Sequence, residues 1–198
     1  MKRLLLYLLF LLPVALSAQT SPSGDLSPRT GYKYFVGLAA GCNMGHSMKT
    51  QGYDRFGSTA YPTLTLTTTH GSQLSRQLFV GAGAGASVGY CIGPSRVVYS
   101  IPVYAACRYT PMQGRYSMAL GLRLGYSFGF GRELNPDGPY LSPSAGIRIA
   151  LRSRLAVNLS LSYVLQRQGV NTIYTDYRTT EFEHLSLHGL MAVANLEF

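Results

Sequence analysis

Over residues 115–131, RYSMALGLRLGYSFGFG, every second residue is bulky and apolar: Tyr116, Met118, Leu120, Leu122, Leu124, Tyr126, Phe128 and Phe130. Between them stand Arg115, Ser117, Ala119, Gly121, Arg123, Gly125, Ser127, Gly129 and Gly131. On a strand, successive side chains point to opposite faces, so this segment has one greasy face and one small or polar face. On a helix the bulky set would be scattered around the circumference. Strands of soluble domains average about 5–6 residues. A tilted strand that crosses a bilayer needs about 9–11. Alternation of this length therefore points to a membrane-crossing β-strand.

The same code recurs along the chain. Tyr32, Tyr34, Val36, Leu38, Ala40 and Cys42 alternate with Lys33, Gly37, Ala39, Gly41 and Asn43. Residues 78–88 alternate with Gly81, Gly83, Gly85 and Ser87. Val97, Tyr99, Ile101, Val103 and Ala105 alternate with Ser100, Tyr104 and Arg108; Ile147, Ile149 and Leu151 alternate with Gly146, Arg148 and Arg152. Leu155, Val157, Leu159, Leu161 and Tyr163 alternate with Arg154, Ala156, Asn158, Ser160 and Ser162. Residues 60–70 form a threonine-rich strand, and Leu190, Ala192, Ala194, Leu196 and Phe198 share a face of a last strand over 182–198. The expected fold is all-β: an eight-stranded antiparallel up-and-down transmembrane β-barrel, the smallest size common among outer-membrane barrels.

Connections and composition agree with that count. Short links are expected at 71–75, 111–114 and 152–154. Longer ones are expected at 45–58, 131–138 and 168–181, with a short exception near Gly93 and Pro94. Short periplasmic turns and longer outer loops are the asymmetry of such barrels. Tyrosines fall near strand ends, with Tyr32, Tyr34, Tyr109 and Tyr116 at the turn end and Tyr90, Tyr126 and Tyr140 at the other. Those are the depths of aromatic girdles. Charged residues make up 13% of the chain, about half the share of a soluble domain, yet no apolar run long enough for a membrane helix follows residue 18.

The N-terminus reads as an export signal. Lys2 and Arg3 precede an unbroken apolar run over 4–12, then Pro13 and the small residues Ala15, Ser17 and Ala18. The expected organisation is a cleaved signal peptide over 1–18, a polar periplasmic lead-in over 19–30, and a barrel over 31–198. The expected location is the outer membrane of a Gram-negative cell.

The terminal pattern Leu190-x-Ala192-x-Ala194-x-Leu196-x-Phe198 resembles the signal by which the barrel-assembly machinery recognises its clients. Together with Ser17-Ala18-Gln19 and the segments IPVYAACRYTP and SAGIRIALRSRLAVNLSLSY, it resembles the small porin-like outer-membrane β-barrel proteins common in Bacteroidetes. The resemblance covers the whole mature chain. It implies the fold, an assembly role for Leu196 and Phe198, and no activity.

Inward side chains of an eight-stranded barrel roughly fill it, so a wide pore is not expected. The inward set carries a charge cluster. Lys33, Arg108 and Arg148 fall near the turn end, Arg123 near mid-height, and Glu197 is the nearby carboxylate. If the last and first strands close the barrel, Glu197 pairs with Lys33. A buried unpaired cation is costly. The arginines are therefore expected to bond to carbonyls, stack on Tyr104 or meet water. The functional alternative is a small anion held in the lower lumen.

Other chemistries find little footing. The net charge of +9 is spread along strands and turns with no basic cluster interleaved with aromatics, so no nucleic-acid partner is expected. Lys49, Arg55, Arg96, Arg132, Arg167 and Arg178 sit in or near outer loops, where lipopolysaccharide phosphates are one partner; beside Asp54, Glu133, Asp137, Asp176 and Glu181 they read more simply as mixed solvated charge. Cys42, Cys91 and Cys107 show no metal spacing and are expected as buried free thiols. No cofactor or metal is expected.

One enzyme reading remains. His184 and Ser186 share a strand face, where His could serve as general base. This is similar to the His-x-Ser of small barrel lipid A deacylases. There an Asn follows, where this chain has Leu187, and a Glu lies further on, where Glu197 has the opposite parity. The expected function is therefore non-catalytic: a membrane scaffold, a surface-recognition protein or a narrow solute path. Its expected partners are outer-membrane lipids, lipopolysaccharide and the assembly machinery. The alternative is a barrel enzyme acting on lipid A or phospholipid through His184 and Ser186.

Overall fold

The computed structural model describes residues 30–46, 48–50, 53–55, 60–91, 96–111, 114–130, 134–135, 137–152, 155–173 and 180–198. The expected signal peptide and nearly all of the lead-in lie outside them. Eight long strands carry the fold: β1 (Gly31–His46), β4 (Ala60–Gln73), β5 (Leu78–Cys91), β6 (Arg96–Tyr109), β7 (Tyr116–Phe130), β9 (Gly138–Arg152), β10 (Leu155–Ile173) and β11 (Thr180–Glu197). Three short pieces extend one end. β2 (Met48–Thr50) and β3 (Tyr53–Arg55) pair with each other, and β8 (Leu134–Asn135) pairs with β10.

Each long strand pairs antiparallel with the next, and β11 pairs with both β10 and β1, which closes the barrel. The closing register sets Val36 against Leu196 and Ala40 against Ala192. Closure leaves no unpaired long edge, as a structure crossing hydrocarbon requires.

The sequence alternation maps onto the wall. Val36, Leu38, Leu64, Leu66, Ile101, Leu122, Leu124, Phe128, Leu159 and Leu161 face outward and are 40–60% exposed. Such a continuous apolar exterior far exceeds the patches that soluble proteins tolerate and matches a lipid-facing surface. The inner face carries Thr63, Thr65, Thr67, Thr69, Ser117, Ser127, Ser142, Asn158 and Ser162, all buried. Many of these hydroxyls bond across the lumen wall, among them Thr65 Oγ1 to Ser87 Oγ at 2.8 Å and Ser142 Oγ to Ser162 Oγ at 2.6 Å.

Two expectations about this architecture need correction. Tyr140 is 8% exposed and points into the lumen rather than joining a girdle, its ring 6.1 Å from that of Tyr104. Within the expected loop over 168–181, residues 168–173 and 180–181 are strand, because β10 and β11 stay paired out to Ile173 and Thr180, while 174–179 lie outside the described residues. The links between β4 and β5 (74–77) and between β9 and β10 (153–154) are short, as expected; the longer links expected at 45–58 and 131–138 fall partly outside the described residues, with β2, β3 and β8 among their described parts.

Glycines make room for the large inward side chains. Tyr104 lies in register between Gly83 on β5 and Gly125 on β7. A Cβ on Gly83 would stand 2.7 Å from the Tyr104 ring, and one on Gly125 would strike the backbone of Val103 and Tyr104. The two glycines thus let Tyr104 lie across the lumen, where its hydroxyl meets Thr69 Oγ1 at 2.9 Å.

Candidate functional site

The lumen charges gather around one carboxylate. Glu197 sits on the inner face of β11, 1% exposed. Lys33 Nζ on β1 lies 2.5 Å from its Oε1. Arg148 on β9 embraces it in a fork, with Nε to Oε2 at 2.9 Å and Nη2 to Oε1 at 3.2 Å. Arg108 on β6 donates from Nη2 to Oε2 at 3.0 Å, and Asn158 on β10 from Nδ2 to the same oxygen at 3.3 Å. Five strands are thereby tied across the lumen at a single side chain.

The expected Lys33–Glu197 pair is present. Arg108 and Arg148 depart from expectation: they converge on Glu197. Their attraction to a desolvated carboxylate outweighs their mutual repulsion, because charge-assisted bonds strengthen out of water. Arg108 also lies over the Phe35 ring, 4.1 Å from its centroid. Arg123 is separate. It stacks over Tyr104 at 5.1 Å, one of its expected fates, and donates a long bond of 3.4 Å to Asn195 Oδ1. The ligand roles of Asn158 and Asn195 were not foreseen, since parity places a residue on the inner face but not around its circumference.

An ionised carboxylate accepts at roughly four lone-pair positions. Glu197 receives five donated bonds, so the site acts as a clamp and offers no free base. Above it Tyr104, Tyr140, Val164, Met191 and Val193 form a buried apolar layer. Among the described residues no group of His, Cys, Asp or Glu could hold a metal ion.

His184 and Ser186 lie on β11 opposite Gly169 and Arg167, and their side chains fall outside the described residues. So does the side chain of Cys91. Cys42 and Cys107 are free, but neither is buried as expected: Cys42 is half-buried and Cys107 is exposed on the outer wall. Even positions of β6 face the lumen and odd ones the exterior. Two tyrosine–histidine pairs on the outer wall also went unforeseen. Tyr32 Oη meets His70 Nδ1 at 2.7 Å near the turn end, and Tyr163 Oη meets His188 Nδ1 at 2.6 Å toward the other. With Tyr34 stacked on Phe198 at 4.8 Å, the first pair belongs to the lower aromatic belt.

A closed eight-stranded barrel with an apolar wall and a polar, charge-clamped lumen defines an outer-membrane β-barrel, located in the outer membrane. Solved structures agree on the fold. The outer membrane protein OprG from Pseudomonas aeruginosa superposes with a TM-score of 0.60 at 15% identity, over 88% of this chain and 99% of that one. The outer membrane protein AlkL gives 0.58 at 15% identity, over 91% and 96%. Neisserial surface protein A gives 0.52 at 13% identity, over 85% and 99%. No protein-family model matches the sequence, and no curated protein matches it significantly.

Proposed function

We propose that this protein is a non-catalytic outer-membrane barrel with a plugged lumen, acting as a membrane scaffold that presents its outer loops for surface recognition. The observation that carries this reading is the clamp: Lys33, Arg108, Arg148, Asn158 and Glu197 cross-link five strands over the lower lumen. A solute path along the axis would have to break several charge-assisted bonds at once. On this reading the end bearing the 74–77 and 153–154 links faces the periplasm and the longer links face outward.

The proposed surroundings are outer-membrane lipid and lipopolysaccharide, whose phosphates would meet the cations in or near the outer links, Lys49, Arg55, Arg96, Arg132, Arg167 and Arg178. Leu196 and Phe198 are the proposed recognition points for the barrel-assembly machinery. The motif resemblance supports a Bacteroidetes-type membrane setting. The enzyme alternative is tested directly. Cells expressing the protein or its His184→Ala variant are compared by mass spectrometry of lipid A, and identical spectra matching cells without the protein are expected. Loss of an acyl chain that depends on His184 would overturn the non-catalytic reading.

A further inference from the structure

The lumen holds more positive charge than the clamp neutralises. Lys33, Arg108, Arg123 and Arg148 face one carboxylate, and among the described residues Arg123 has no ion pair. Nε of Arg108 and Nη1 of Arg148 are buried without a partner, as is Oδ1 of Asn158. Next to the clamp lies a cavity of about 60 Å³, with apolar walls at Phe35, Phe79 and Val193 and polar groups at Arg108, Arg123, Asn158, Asn195, Ser144 and Ser160. One water needs roughly 10–15 Å³ by this measure, so the space admits several waters or a small ion with water. Uncompensated cations beside a roomy cavity are expensive, and the cheapest remedy is a counter-ion taken from solution.

We propose that this cavity binds a small inorganic oxyanion of the phosphate class between Arg108 and Arg123. The position differs from the lower lumen, where Glu197 already occupies the centre. Arg108 supplies its free Nε–H and Arg123 the N–H groups not bonded to Asn195. Ser144 and Ser160 supply hydroxyl donors. The orphaned Asn158 Oδ1 is an acceptor and calls for an O–H, which hydrogen phosphate carries and chloride does not. The clamp borders the site through Arg108 and Asn158, and Arg123 is held over the Tyr104 ring. The anion is therefore a resident counter-ion of the folded barrel, not a solute in transit, and the inference stands independently of any role for the loops.

The test is refolding of the mature barrel into detergent micelles with sodium phosphate, sodium chloride or sodium gluconate at equal ionic strength. Desalting, ³¹P NMR and thermal unfolding follow. The expected result is close to one phosphate retained per barrel and a thermal midpoint several degrees above the gluconate sample. Arg123→Met should weaken retention at least tenfold, and Arg123→Lys should recover part of it. Ala119→Leu, which fills the cavity from the wall and keeps every charge, should also abolish retention, and it covers the case in which Arg123→Met fails to fold. Equal midpoints in phosphate and gluconate with no retained ³¹P signal would overturn the proposal. So would stabilisation by chloride alone, or phosphate retention unchanged in both the Arg123→Met and Ala119→Leu barrels.

Discussion

Glu197 concentrates the energetics of the lumen in one side chain. Removing its charge leaves Lys33, Arg108 and Arg148 facing one another in a desolvated space, and breaking a buried pair on one side costs about 3–5 kcal/mol. Glu197→Gln is expected to lose that much stability in reversible urea unfolding from lipid vesicles. Arg148→Met should lose less, because the carboxylate keeps Lys33 and Arg108. The Glu197→Gln/Arg148→Met pair should lose less than the sum of the two. A larger loss for Arg148→Met than for Glu197→Gln would contradict the clamp. Cys107 offers a chemical check on the wall, since it lies exposed among lipid-facing residues. In the folded barrel it should react with an apolar, bilayer-soluble maleimide and resist a charged one.

At this scale the sequence was half legible. Alternation assigned Lys33, Arg108, Arg123, Arg148 and Glu197 to the inner face, and closure paired Lys33 with Glu197. The convergence of Arg108 and Arg148 was not readable. They are separated from Glu197 by 89 and 49 residues, on strands that are not hydrogen-bonded neighbours of β11. Only the curvature of the closed sheet brings them together.

The strands themselves were the most legible elements, because a period of two with lipid on one side admits one register. Leu161 is 60% exposed near the middle of β10, with Ala145 and Ala192 beside it. Leu161→Arg should cost about 2–4 kcal/mol, the range for a cation at the bilayer midplane, read as a shift of the urea midpoint in vesicles. Gly125→Ala should destabilise by about 1–3 kcal/mol, as overpacking does, because its Cβ would meet Val103 and Tyr104 backbone. Unchanged stability in that variant would mean that β6 and β7 are not packed as closely as described. Strand ends were harder to read. Tyr140 follows Pro139 and Gly138 at the start of β9, where no earlier alternation sets the phase, and so its inward parity was missed. Over 168–173 and 180–181 polar residues hid strand that continues beyond the apolar belt, where both faces can be polar.

For the whole molecule, eight strands make a lumen just wide enough for side chains to fill. Here they fill it in layers: the Glu197 clamp with Phe35 and Phe79, the cavity at Arg123, and the Tyr104–Tyr140 layer above. Strand number and the small inward residues made a narrow lumen legible from the sequence. Whether it is sealed depends on packing between residues far apart in the chain, which no local pattern records. The seal is the central claim, and single-channel recording of the refolded barrel in a planar bilayer tests it most directly, with folding verified by heat-modifiable gel migration. A silent membrane is expected for the native chain. Discrete conductance steps, and anion-selective ones above all, would contradict a plugged lumen and return Arg108, Arg123 and Arg148 to the walls of a pore.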